Sequence, residues 1–208
     1  MNTRPLIVSL IVAAIVWAIM FSPLTAPHIY FWATMAPAAV LLCHIAVRNM
    51  PGLLRRLHFT PANIALGVLM AAALWLAFYI GDWAAAQLFS FARPEVGAIY
   101  GIREGVSPII LSALLIALIG PAEELYWRGY VQETLTRRLG ANAGFIIATA
   151  LYPAVHIPSC NFMLIMASLV AGVFWGLAYR LMPRRLAAIV ISHALWDAAI
   201  FIWFPINA

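Results

Sequence analysis

The chain has 208 residues, of which 65% are hydrophobic and only 9% charged; soluble domains are roughly half apolar and a quarter charged, so this composition excludes an ordinary water-soluble domain. The net charge of +5 comes from twelve arginines and no lysine. These are clustered rather than spread along a polar stripe, which argues against a nucleic-acid partner and for charges that mark the ends of membrane spans.

Apolar runs bounded by Pro, Gly or Arg predict seven helices, over about 5–21, 28–47, 62–90, 107–135, 141–157, 162–182 and 186–204. The first run lacks a polar stretch with a small-residue cleavage site before the next one, so it is read as a helix and not as a removed signal peptide. The third is long enough to tilt, break near Gly81 or project from the bilayer, with Asp82 near an interface. Alternate connections carry Arg4, then Arg48, Arg55 and Arg56, then Arg137 and Arg138, then Arg180, Arg184 and Arg185. The opposite connections hold Arg93 and Arg103, offset by Glu95 and Glu104. Because cytoplasmic loops are enriched in arginine and lysine, the expected fold is an all-α polytopic transmembrane helix bundle of about seven spans. Its N-terminus is expected inside, its C-terminus outside, and its location is the plasma or inner membrane. Residues 1–208 are read as one membrane domain, with an N-terminal three-helix part over 1–91 and a catalytic core over 107–204. Cys43 and Cys160 fall on opposite sides of this topology, too far apart for a disulfide.

Ionisable residues within membrane helices are costly and usually face a bundle interior or a water-filled cavity. Here they fall into three sets: Glu123, Glu124 and Arg128 on the fourth predicted helix, His156 at the end of the fifth, and His193 with Asp197 on the seventh. Counting at about 1.5 Å per residue from the inner arginines puts Glu123 about 21 Å deep, His193 about 12 Å and Asp197 about 18 Å, and His156 lies about 22 Å from the start of its helix. In a hydrocarbon core of about 30 Å, three helices thus bring carboxylates and imidazoles to overlapping depths.

Spacing divides their roles. Glu124 and Arg128 are four apart and share a helix face, so they can form a neutralising ion pair. Glu123 is rotated about 100° from Glu124 and is left for another partner, His156 or His193. Asp197, one turn beyond His193, can accept a ring N–H and fix that imidazole's tautomer. A carboxylate and a histidine on one water can deprotonate it for attack on a peptide carbonyl, while a second histidine stabilises the oxyanion or protonates the leaving amine. Ser159, Cys160 and Ser192 lie near the histidines without the setting of a Ser or Cys nucleophile. With neutral histidines, three carboxylates against one arginine leave a charge of −2. Protonation of one group would compensate, and so would zinc held by Glu123, His156 and His193. No His-Glu-x-x-His helix is present, and the metal-free acid–base route, with no cofactor, is preferred.

These sets, in this order, resemble the CPBP family of intramembrane proteases, also called the CAAX protease and bacteriocin-processing or Abi family. Its pattern is Glu-Glu-x-x-x-Arg, then Phe-x-x-x-His, then His-x-x-x-Asn or Asp. Glu123, Glu124 and Arg128 match the first, His156 the second, and His193 with Asp197 the third; Tyr152 stands where the family usually has Phe and adds a hydroxyl. The resemblance covers about residues 118–200. It implies a site opening within the membrane, Glu123 and His156 as the water-activating pair, His193 and Asp197 as the oxyanion side, and Glu124, Arg128 and Tyr152 in support. The family has been labelled both metalloprotease and glutamic protease; the glutamic type is preferred here.

The expected function is therefore an intramembrane endopeptidase acting on a membrane-associated peptide or protein within the lipid bilayer. Prenylated CAAX proteins, peptide precursors and proteins with a C-terminal sorting signal are the candidate substrates. The rival is a non-catalytic membrane protein, either a proton or ion pathway or an immunity-type scaffold. Three further features are given bland roles. His28, His44 and His58 are assigned to helix ends or interfaces. Gly172 and Gly176 form a small-x-x-x-small packing stripe. Gly97, Gly101 and Gly105 are assigned to a flexible outer loop.

Overall fold

The computed structural model describes residues 4–206, and among them all regular structure is helical. In chain order the principal helices are α1 (Arg4–Phe21), α2 (Phe31–Asn49), α3 (Pro61–Leu88), α4 (Ala92–Gly101), α5 (Pro108–Leu139), α6 (Ala141–Ala154), α7 (Phe162–Leu181) and α8 (Pro183–Trp203). Six of them, α1, α2, α3, α5, α7 and α8, are long and apolar enough to cross a membrane. α6 has 14 residues, about 21 Å of helix at 1.5 Å per residue. It completes the expected set of about seven as a shorter element.

Local chemistry explains where the helices start and stop. The Thr60 hydroxyl accepts from the Asn63 N–H at 3.3 Å ahead of Pro61, and the Asn161 side chain accepts from the Leu164 N–H at 2.8 Å to open α7. Each satisfies a donor that the first turn of a helix leaves without a partner. Gly140, at φ +87°, ends α5 and begins α6 in a left-handed conformation that suits glycine. α3 runs unbroken past Gly81, and its 28 residues span about 42 Å, more than the hydrocarbon thickness. The segment expected as a flexible loop between α3 and α5 instead contains α4, with Gly97 and Gly101 inside it.

α8 lies against both α3 and α5, while α6 packs between the end of α5 and α7. Trp17, Trp127, Trp175, Tyr126 and Tyr179 fill the interior. Ile7, Ile11 and Ile15 on α1, and Leu69 and Leu76 on α3, face outward, as lipid-facing positions of a bundle do. The arginines gather at one end. Arg56 donates to the Tyr179 hydroxyl and to the Pro183 carbonyl, Arg137 pairs with Glu133 at 2.7 Å, and Arg185 donates to Asn63 at 2.8 Å. At the opposite end Arg93 pairs with Asp82, and Arg103 donates to the Phe201 carbonyl.

Candidate active site

The site is assembled on α5, at the end of α6 and on α8. In α5, Pro121 brings no N–H and its ring crowds the preceding turn. The helix widens to π geometry over Leu115–Ile119, directly before it, and again over Trp127–Gln132. Between the two wide turns lies the segment carrying Glu123 and Glu124. Such wide turns recur at functional sites in helices. Close approach of α8 depends on Gly120, where a Cβ would come within 2.7 Å of the Ala194 Cα. That contact sets Glu124 beside His193.

All six motif residues converge. Glu123, Glu124, Arg128, His156 and His193 are buried, and Asp197 is partly so. Glu124 is the hub of one network. Its Oε1 accepts from Arg128 Nη1 at 2.8 Å and lies 2.7 Å from His193 Nδ1. The ion pair that the four-residue spacing predicts is therefore present, and the same oxygen also engages the histidine. On the other edge of the ring, His193 Nε2 is 3.4 Å from Asp197 Oδ1. With a carboxylate at each nitrogen, the imidazole can donate to both only in its doubly protonated form. The sequence expectation that Asp197 can accept from His193 is thus extended: Glu124 is the shorter contact. Trp175 stacks on the His193 ring at 3.8 Å with an 18° interplanar angle and is itself held by a bond to Ser192.

The second network joins α6 to Glu123. Glu123 Oε2 accepts from the Tyr152 hydroxyl at 2.8 Å, so the hydroxyl that distinguishes this chain at Tyr152 is the partner of that carboxylate. Arg128 lies 4.7 Å over the Tyr152 ring, within cation–π range, and Arg128 Nη2 reaches the Gly172 carbonyl at 3.4 Å. His156 Nδ1 is 2.9 Å from the Tyr152 carbonyl, while its Nε2 accepts from the Trp17 indole N–H at 3.2 Å. A carbonyl can only accept, so Nδ1 carries the proton and the imidazole is neutral with a defined tautomer. The small-residue stripe packs as expected: a Cβ on Gly172 would lie 3.2 Å from the Tyr152 ring, and Gly176 abuts Thr149.

Among the described residues, no three His, Cys, Asp or Glu side chains are grouped to hold a metal ion. The nitrogens that would have to converge on one are turned to Trp17, Tyr152, Glu124 and Asp197.

Glu123 and Asp197 line a cavity of about 600 Å³ that is otherwise walled mainly by apolar side chains, among them Phe21, Phe31, Phe78, Phe162 and Phe201. α4 closes part of it through Val96, Ile99 and Tyr100. α4 is fastened by Glu95, which accepts from the Met163 N–H at 2.9 Å, and by the Tyr100 hydroxyl, which donates to the Ile200 carbonyl at 2.9 Å. Burial pushes the Tyr100 phenol above its ordinary range, so it remains a donor.

Local spacing could not reveal Trp17, which lies 139 residues from its partner His156, or the Glu124–His193 bond between different helices. The one available signal was the abundance of tryptophan, eight in the chain, which carried no information on position.

No curated protein and no solved structure matches the chain. A protein-family model described as type II CAAX prenyl endopeptidase Rce1-like matches residues 105–199. That stretch contains α5, α6, α7 and most of α8, and with them all six motif residues. The match agrees with the resemblance carried by the three motifs: across this stretch the chain is similar to the CPBP/CAAX protease family, and six of its described helices are long and apolar enough to cross a membrane.

Proposed function

We propose that the chain is an intramembrane endopeptidase of glutamic type that hydrolyses a peptide bond in a membrane-associated polypeptide. The observation that carries this reading is the position of Glu123: a buried carboxylate, held by the Tyr152 hydroxyl, at the wall of an apolar cavity large enough for a substrate segment. Glu123 and His156 together take a proton from water as its oxygen attacks the scissile carbonyl carbon. His193, anchored at Nδ1 by Glu124, turns its Nε2–H from the longer 3.4 Å contact with Asp197 to the developing oxyanion, and the proton taken from water passes to the leaving amine. No covalent acyl-enzyme forms. Glu124 and Arg128 act by position, setting the orientation of His193 and neutralising charge in the low-dielectric interior.

The family description names CAAX prenyl endopeptidases, so a polypeptide with a prenylated C-terminus is the first substrate class to try. The experiment is cleavage in proteoliposomes of a prenylated C-terminal peptide and of an unmodified peptide on an apolar anchor, with new termini read by mass spectrometry. Cleavage within the membrane-proximal segment, lost in His156→Ala and His193→Ala, is expected. Full cleavage by both folded variants would contradict the assignment. Stoichiometric zinc in the purified protein, with activity lost on chelation and regained on re-addition, would contradict the glutamic type.

A further inference from the structure

His156 offers water no vacant nitrogen in this structure. Nδ1 is committed to the Tyr152 carbonyl, and the Nε2 lone pair, the one that would accept a proton, already accepts from the indole of Trp17. Trp17 is 1% exposed and belongs to α1, outside the stretch that matches the protease family. One turn further along α1, Phe21 lies against the same imidazole, with ring centroids 5.6 Å apart, and also lines the cavity at Glu123. Residues four apart share a helix face. A single face of α1 therefore covers the proton-accepting edge of His156 and walls the space where substrate would lie.

We propose that Trp17 is a positioning residue for hydrolysis: it holds His156 as the Nδ1–H tautomer and caps Nε2 until water takes the indole's place. The inference rests on the assignment of His156 as a base. Balanced as a step, one O–H bond of a water held by Glu123 breaks as an Nε2–H bond forms, and the oxygen bonds to the scissile carbon while the carbonyl π pair moves onto its oxygen; that pair then returns as the C–N bond breaks, and the same proton leaves Nε2 for the amine. Throughout, Nδ1 keeps its proton and its bond to Tyr152, so the ring need not flip. A substrate segment entering the cavity presses on Phe21, and hence on the helix face from which the cap must withdraw. A core histidine merely satisfied by its neighbours would have the same two hydrogen bonds in the resting state. It would not show a gain in turnover when one of them is removed.

The test compares wild type with Trp17→Phe, which keeps an aromatic ring in the packing and removes the N–H donor. Water then no longer competes with the indole, and because a single hydrogen bond has a modest net worth, kcat rises about 2- to 10-fold. KM is expected to stay within about twofold, since substrate contacts are retained. The rate at which diethyl pyrocarbonate modifies His156, mapped by peptide mass spectrometry, should rise in parallel. A folded Trp17→Phe protein with unchanged or lower kcat and unchanged His156 modification would overturn the proposal. Cleavage by His156→Ala at the wild-type rate would remove the underlying assignment of the base instead. If Trp17→Phe fails to fold, the imidazole 15N shifts of the wild-type protein decide the matter. An Nδ1–H tautomer at His156 supports the cap, and an Nε2–H tautomer overturns it.

Discussion

Glu124 carries more of the site than its spacing suggests. One of its oxygens serves both Arg128 and His193, and the other, Oε2, is buried with no hydrogen-bond partner among the described residues. Removing the carboxylate would strand a guanidinium that is 2% exposed. Loss of one member of a buried ion pair typically costs about 3–5 kcal/mol, so Glu124→Ala is expected to lower the unfolding midpoint strongly as well as abolish turnover. Glu124→Gln keeps an acceptor and the side chain's shape, and should unfold closer to wild type while still losing activity. Denaturant unfolding of the two reconstituted variants separates the outcomes; equal stability in all three proteins would show that the pair is idle. At this scale the sequence disclosed the Glu124–Arg128 bridge because it lies within one helix turn. It did not disclose the bonds from Trp17 to His156 or from Glu124 to His193, which join different helices and have no local period.

Among the helices, the contact between α5 and α8 is set by an absent side chain. A Cβ at Gly120 would meet Ala194 backbone atoms at 2.7 and 2.8 Å, and backbone cannot rotate out of the way as a flexible side chain could. Gly120→Ala should therefore push α8 away from α5, with a stability loss of about 1–3 kcal/mol, the usual cost of overpacking, and a loss of activity as His193 leaves Glu124. A thermal-shift measurement paired with a cleavage assay checks this; wild-type behaviour in both would mean that the helices part without cost. Most helix ends were legible because Pro, Gly and Arg punctuate long apolar runs. The exception is α4. Its ten residues include Pro94, Gly97 and Gly101, which disfavour helix intrinsically. Packing against the start of α7 and the end of α8 outweighs that preference.

Over the whole molecule, the arginine pattern anticipated which loops share an end of the bundle. The Arg56, Arg137 and Arg185 contacts tie together the α2–α3 connection, the end of α5 and the start of α8. The compartment each end faces remains an expectation from the excess of arginine on cytoplasmic loops. Cys160 supplies a direct readout. It is exposed, in a left-handed turn between α6 and α7 at the arginine-poor end. A membrane-impermeant maleimide should label it in intact cells if that end faces outward; labelling only after permeabilisation would reverse the orientation. The fold class could be read from hydropathy alone, since only helices satisfy their own backbone in lipid without closing a barrel. Composition did not foretell an apolar cavity bounded by carboxylates, which exists only once α3, α4 and α8 are packed together.

The account turns on Glu123. Turnover of a membrane-anchored peptide by purified, reconstituted Glu123→Gln, measured against wild type, tests it most directly. The substitution preserves size and an oxygen for the Tyr152 hydroxyl while removing the carboxylate that activates water together with His156, so a fall in kcat of about 100-fold or more is expected. A folded Glu123→Gln protein that cleaves at the wild-type rate would contradict the account.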